Sequence, residues 1–183
     1  ASASPSSLVV AEDFELLRDG IVSICESSSR YVVVSAVADG EAALEAIRAH
    51  KPKLALLGLS LTRLFALEVV RVLREDEIET RVIVMSPRKD QKTVIEALRC
   101  GAQGYFVSNS GGNALLDCLD RVCEGGVYVS PQIDVQSLFT QKVRTPSDPV
   151  SALSAREYQV FSLLIEGVRA KEIAARLNLS TKT

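Results

Sequence analysis

Along the first two thirds of the chain, apolar residues alternate between two periods. Short apolar runs, several of them rich in β-branched residues, occur at Leu8–Ala11, Tyr31–Val37, Leu54–Leu57, Arg81–Met85 and Gly104–Val107, and each reads as a strand. Between them the spacing becomes helical: Phe14, Leu17, Ile21, Ile24 and Cys25 form one stripe, Val94, Ala97 and Leu98 another, and Leu115, Leu119, Val122 and Cys123 a third. Asp39 stands ahead of a run of alanines and glutamates as an N-cap. The pattern gives five βα units, which predicts an α/β fold: a five-stranded parallel, doubly wound sheet with helices on both faces and right-handed crossovers. Ligands of such sheets bind beyond the carboxyl ends of the strands. The edge to inspect therefore carries Glu12 and Asp13, Gly58, Ser86 and Ser108, the residues that follow or end strands one, three, four and five.

The pattern changes after the fifth helix. Gly125–Gly126 and a short VYVS lead to a helix expected from about Ile133 to Lys142. RTPSDP, residues 144 to 149, has two prolines and no large apolar side chain, and reads as a linker. Beyond it Ser154 and Glu157 form an S-x-x-E capping box ahead of an apolar face at Val160, Leu163 and Leu164, and that helix ends at Gly167. KEIAARL supplies a second helix through Ile173, Ala174 and Leu177, and Ser180 is placed to cap a third. The expected organisation is an α/β domain over 7–130, a helix and linker over 131–150, and a small all-α domain over 151–183.

Composition narrows the class. The chain has 183 residues, 47% of them apolar and 24% charged, with a net charge of −2, as in ordinary globular proteins. No apolar stretch reaches the roughly 18 residues of a membrane span, and the opening ASASPSS has no basic residues and no apolar core of a leader; a cytoplasmic protein with no membrane partner is expected. The four cysteines, at 25, 100, 118 and 123, make no metal spacing with each other or with His50, the single histidine. Residues 151–183 hold five basic side chains (Arg156, Arg169, Lys171, Arg176, Lys182) against three acidic ones (Glu157, Glu166, Glu172), so the tail is at +2 and residues 1–150 at −4. A mildly basic tail on an acidic body is compatible with nucleic-acid binding by the tail.

One strand poses a question. KLALLGLSL, residues 53 to 61, carries Gly58 within an apolar run. Glycine weakens a strand interior and marks a bulge, a close approach or, at a functional edge, a missing side chain. VVAEDFELLRDGI, the ADGEAALEAI helix, RVIVMS, EALRCGAQGYFV and the closing GGVYVSP resemble the receiver domain of a bacterial two-component response regulator, a flavodoxin-like fold. The tail LSAREYQVFSLLIEGVRAKEIAARLNLSTKT resembles the LuxR-type helix-turn-helix of the NarL subfamily. The two resemblances together cover nearly the whole chain, in the order that the family uses.

The resemblance implies roles for the edge residues. In such receivers an acidic pair holds a divalent metal, an aspartate ending strand three accepts phosphate from a histidine kinase, and a hydroxyl on strand four and a lysine on strand five engage the phosphoryl group. Glu12 and Asp13 match the acidic pair, Ser86 the hydroxyl and Tyr105 the switch aromatic, but Gly58 stands at the acceptor and Ser108 at the lysine. The loop TRLFALE also departs from the family's proline and glycine pattern. A glycine has no nucleophile, so phosphotransfer to position 58 is chemically excluded. A single base change could convert aspartate to glycine, by accident or by design, yet the paired loss of a carboxylate and its cation leaves the local charge balanced, as in a site retired as a unit. With two carboxylates left, Glu12 and Asp13 are expected to hold Mg²⁺ weakly at best, so no cofactor is expected.

For the tail, the resemblance implies a helix beginning near Thr181 in the DNA major groove, with Lys182 and Thr183 at DNA-touching positions and Lys171 at a backbone-contacting one. The match stops within that helix, so the chain as given is expected to bind DNA poorly and a completed helix-turn-helix to bind promoter DNA. The expected function is a DNA-binding transcriptional regulator, a homodimer, whose receiver dimerises or binds a partner and for which a cognate histidine kinase is doubtful. The alternatives are an interaction module without DNA reading and a receiver governed by a ligand or by another phosphoacceptor. An enzyme is not expected: the pocket has no histidine, no glycine-rich phosphate loop and no nucleophile–base pair.

Overall fold

A computed structural model of the chain describes residues 4–134, which lie in the first of its two units, Ala1–Val135. Strands β1 (Ser6–Ala11), β2 (Tyr31–Val37), β3 (Leu54–Gly58), β4 (Arg81–Ser86), β5 (Gly104–Val107) and β6 (Tyr128–Val129) alternate with helices α1 (Glu15–Ser27), α2 (Gly40–His50), α3 (Ala66–Glu75), α4 (Gln91–Cys100) and α5 (Gly112–Cys123). The strands form one sheet in the order β2-β1-β3-β4-β5-β6, every pair of them parallel. Parallel neighbours need crossovers, and the helices supply them. α1 packs against α5, while α2 meets α3 and α3 meets α4. Leu8, Val10, Leu54, Leu56, Ile83, Met85 and Phe106 face Ile21, Cys25, Leu115, Cys118, Leu119 and Val122 in one buried cluster. β3 is buried along its whole length, which explains why LALLG reads as a continuous apolar run rather than an alternating one.

Two features depart from the sequence pattern. The sheet has six strands rather than five, because the VYVS segment adds Tyr128–Val129 alongside β5. Tyr128 N–H donates to the Gln103 carbonyl and Ser130 N–H to the Tyr105 carbonyl, so the short strand satisfies an edge that β5 would otherwise leave open. Two residues are too few to show a period. The periodic stripes also leave α3 unplaced, although Ala66, Leu67, Val69, Val70 and Leu73 are its buried face. The expected N-cap is present: the Asp39 carboxylate accepts from Ala42 N–H at 2.9 Å. Gly40 follows it because a Cβ there would lie 1.7 Å from the Leu64 carbonyl oxygen, where the chain leaving β3 crosses the start of α2. The helix expected over 133–142 lies outside the described residues, apart from Ile133 and Asp134, which are not helical. The linker, the capping box and the tail helices lie wholly outside them.

Candidate functional site at the carboxyl ends of the strands

Register brings the edge residues together. Ala11 pairs with Leu57, Gly58 with Met85 and Ser86 with Val107, so Glu12, Gly58, Ser86 and Ser108 emerge along one rim of the sheet. Glu12 and Ser86 are buried, Asp13 is exposed and Ser108 half-buried. Tyr105 is fully buried.

Glu12 is fixed at several points. Its amide donates to the Val37 carbonyl at 3.1 Å, its carbonyl accepts from Arg18 Nη1 at 2.7 Å, and its Oε1 accepts from Phe14 N–H at 3.1 Å. The other oxygen points at β3: a Cβ built on Gly58 would lie 2.6 Å from Glu12 Oε2 and 3.5 Å from the Ala11 carbonyl oxygen. Gly58 ends a regular strand and has no left-handed φ. Space, not backbone freedom, distinguishes a glycine at this position. Burial, followed by the hydrogen bond that the protonated carboxyl gives Asp13, raises Glu12 from 4.5 to about 7, against the pull of the Phe14 amide.

A second group of contacts organises the loop between β4 and α4. Ser86 Oγ accepts from Arg88 N–H at 3.1 Å, and the Tyr105 hydroxyl donates to the Arg88 carbonyl at 2.9 Å. Arg88 Nε donates to Asp90 Oδ2 at 2.9 Å, and Asp90 Oδ1 caps α4 by accepting from Thr93 N–H at 3.0 Å. Burial works to raise the Asp90 carboxyl, but the Thr93 hydroxyl and amide and the Arg88 charge outweigh it and hold it below the usual range. Burial raises the Tyr105 phenol, so its proton stays in place as a donor. Ser108 joins by backbone, its N–H donating to the Ser86 carbonyl at 3.0 Å. Sequence reasoning did not single out Arg18, Arg88 or Asp90. Asp90 was recoverable from its place three residues before Thr93 at a helix start, whereas nothing in the spacing announces Arg18.

Mg²⁺, the metal that related receivers imply, needs near-ideal octahedral oxygens at about 2.0–2.1 Å. The donor set does not fit it. One Glu12 oxygen is engaged by a backbone amide and the other is turned against β3, and no group of three His, Cys, Asp or Glu side chains gathers among the described residues. A cleft of about 450 Å³ lined by Arg71, Arg74, Glu75, Arg99 and Cys100 lies toward the last turns of α3 and α4, at the opposite edge of the sheet. Arg74 and Arg99 there complement the helix carboxyl ends. Lys171, Lys182 and Thr183 lie outside the described residues.

Known proteins resemble the chain over two segments. The response regulator receiver domain family matches residues 8–120, and the luxR family of bacterial regulatory proteins matches residues 151–183. The oxygen regulatory protein NreC of Staphylococcus epidermidis is 29% identical over 184 residues, 96% of this chain and 84% of the relative. The nitrate/nitrite response regulator protein NarL of Escherichia coli is 27% identical over 186 residues, all of this chain and 86% of the relative. Among solved structures, the signal receiver domain of NarL from Mycobacterium tuberculosis superposes with a TM-score of 0.66 at 31% identity, covering 67% of this chain and 99% of that one. RcsB from Salmonella enterica serovar Typhimurium, solved bound to promoter P1flhDC, shares the fold with a TM-score of 0.65 at 19% identity, covering 96% and 84%.

Proposed function

Because this chain belongs to the DNA-binding response regulators of the NarL/LuxR type, we propose that it regulates transcription through a receiver that is not switched by phosphoryl transfer at position 58. One observation carries the reading. The place from which an acceptor carboxylate would attack holds Gly58, which has no side chain, and the neighbouring Glu12 carboxylate is packed against it. Phosphoryl transfer needs a nucleophile at that point and cations for the charge that it brings. Ser108 offers no positive charge, and Mg²⁺ has no three-carboxylate seat, so neither requirement is met. A histidine kinase accordingly has no acceptor here, and Glu12, Asp13, Gly58, Ser86, Tyr105 and Ser108 form a degenerate pocket.

On this reading the receiver, over 7–130, is a dimerisation or partner-binding module. The segment over 151–183 belongs to a LuxR-type helix-turn-helix that addresses promoter DNA, with Lys171, Lys182 and Thr183 among its contacts. Its place of work is the cytoplasm, where the DNA is; no helix among the described residues is long and apolar enough to cross a membrane. Intact-mass measurement after treatment with a small-molecule phosphodonor tests the proposal. An unchanged mass is expected, with equal promoter affinity in treated and untreated samples of the protein carrying its whole helix-turn-helix. A stable acyl phosphate on the receiver would overturn it.

A further inference from the structure

A vacancy beside a buried glutamate raises the question of what fills it. We infer that Glu12 is the resident occupant of the acceptor seat, its side chain reaching from the end of β1 into the volume that any side chain at position 58 would take, so that the pocket is closed from within. The inference deepens the reading above and rests on it, since it gives the emptied position a structural role in place of a chemical one.

Three observations converge on it. A Cβ at position 58 would come within 2.6 Å of Glu12 Oε2, well inside contact distance, so Glu12 in its present rotamer and any larger residue at 58 are mutually exclusive. Glu12 is only 6% exposed and its side chain is held at Oε1 by Phe14 N–H, while Arg18 fixes the backbone carbonyl from which that side chain starts; its inward pose is anchored rather than a free rotamer. Gly58 has no positive φ that would call for glycine on backbone grounds. Glutamate also has one methylene more than aspartate, and it is that extra reach which carries its carboxylate across from β1 to β3. Glycine at 58 and glutamate at 12 are thus a matched pair: the first makes the space and the second uses it. A carboxyl so placed has one oxygen on the Phe14 amide and the other against β3, which leaves it poorly placed to share a cation with Asp13.

A double-mutant cycle on the full chain tests the pairing. Gly58→Ala should lower the thermal midpoint by several degrees when Glu12 is present, and by less than half as much when combined with Glu12→Ala, which vacates the seat. Glu12→Gln, equal in shape, should retain the full sensitivity to Gly58→Ala. Equal decrements of the midpoint with and without Glu12→Ala would overturn the inference. Should Gly58→Ala not accumulate as folded protein, Mn²⁺ binding followed by electron paramagnetic resonance reads the same competition. Gly58→Asp combined with Glu12→Asp should bind Mn²⁺ at least tenfold more tightly than Gly58→Asp alone, in which two side chains contend for one seat. Equal affinities would again overturn it. Absence of coupling in a protein that still takes no phosphoryl group removes the occupant and leaves the proposed function standing; an acyl phosphate removes the function itself.

Discussion

Glu12 concentrates the chemistry of the rim in one carboxyl group, and its titration is a measurable consequence. Burial and the neighbouring Asp13 raise it to about 7 from the 4.5 of an exposed glutamate. The fold therefore favours the protonated form. Below about pH 4.5 the group is protonated folded and unfolded alike and has no effect on the balance; as pH rises toward 7 the unfolded chain ionises first, and stability falls. Glu12→Gln removes this term while keeping the shape. The variant is expected to match the wild type near pH 4.5 and to exceed it progressively up to pH 7, by at most about 3 kcal/mol, with no further gain above. Urea denaturation across that window checks it; a constant difference at every pH would contradict it. The sequence announced the vacancy at Gly58, because a glycine in an apolar strand end is a local anomaly. It could not announce the occupant, since the rotamer of Glu12 depends on the Phe14 amide and on a strand that is distant in sequence.

At the scale of elements, the segment between β4 and α4 is tied down without a ligand. Ser86, Tyr105 and Asp90 each hold Arg88 by a different group, and Asp90 then caps the helix. Tyr105 reaches this loop from within the core, so the position of α4 is coupled to the packing of β5. Removing one hydroxyl tests that coupling. Tyr105→Phe keeps the ring in its buried site and removes the hydrogen bond that the hydroxyl gives the Arg88 carbonyl, which should cost about 1 kcal/mol. Hydrogen exchange should quicken at the amides of residues 88–94 and hardly change in β1 and β3; uniform quickening would point to general loosening instead. The strands were legible because short apolar runs of four or more residues between helical stretches are strong local signals, and α2 because Asp39 and the alanines after it are a strong start. α3 was not placed, because its first turn, Ala66 to Glu68, reads as the end of the TRLFALE loop, and β6 exists only through its bonds to the chain at Gln103 and Tyr105, which no local pattern encodes.

At the scale of the whole molecule, charge is divided along the chain, with −4 over residues 1–150 and +2 over 151–183. DNA attracts the second part and repels the first, so attraction to the phosphate backbone falls to the five basic side chains of the tail segment. Each phosphate neutralised contributes about 0.9 to the slope of log affinity against log salt, so these five account for a slope of at most about −4.5. Promoter binding by the protein with its whole helix-turn-helix, measured from low to physiological salt, should respect that bound for the contribution of this segment. Lys171→Ala should flatten the slope by about 0.9 if that side chain meets a phosphate. The same slope is expected after phosphodonor treatment, because a receiver that gains no phosphoryl group gains no charge with which to alter it. A slope that shifts with the donor would mean that negative charge had been added on the acidic body and had been felt at the DNA, which would contradict the proposed function.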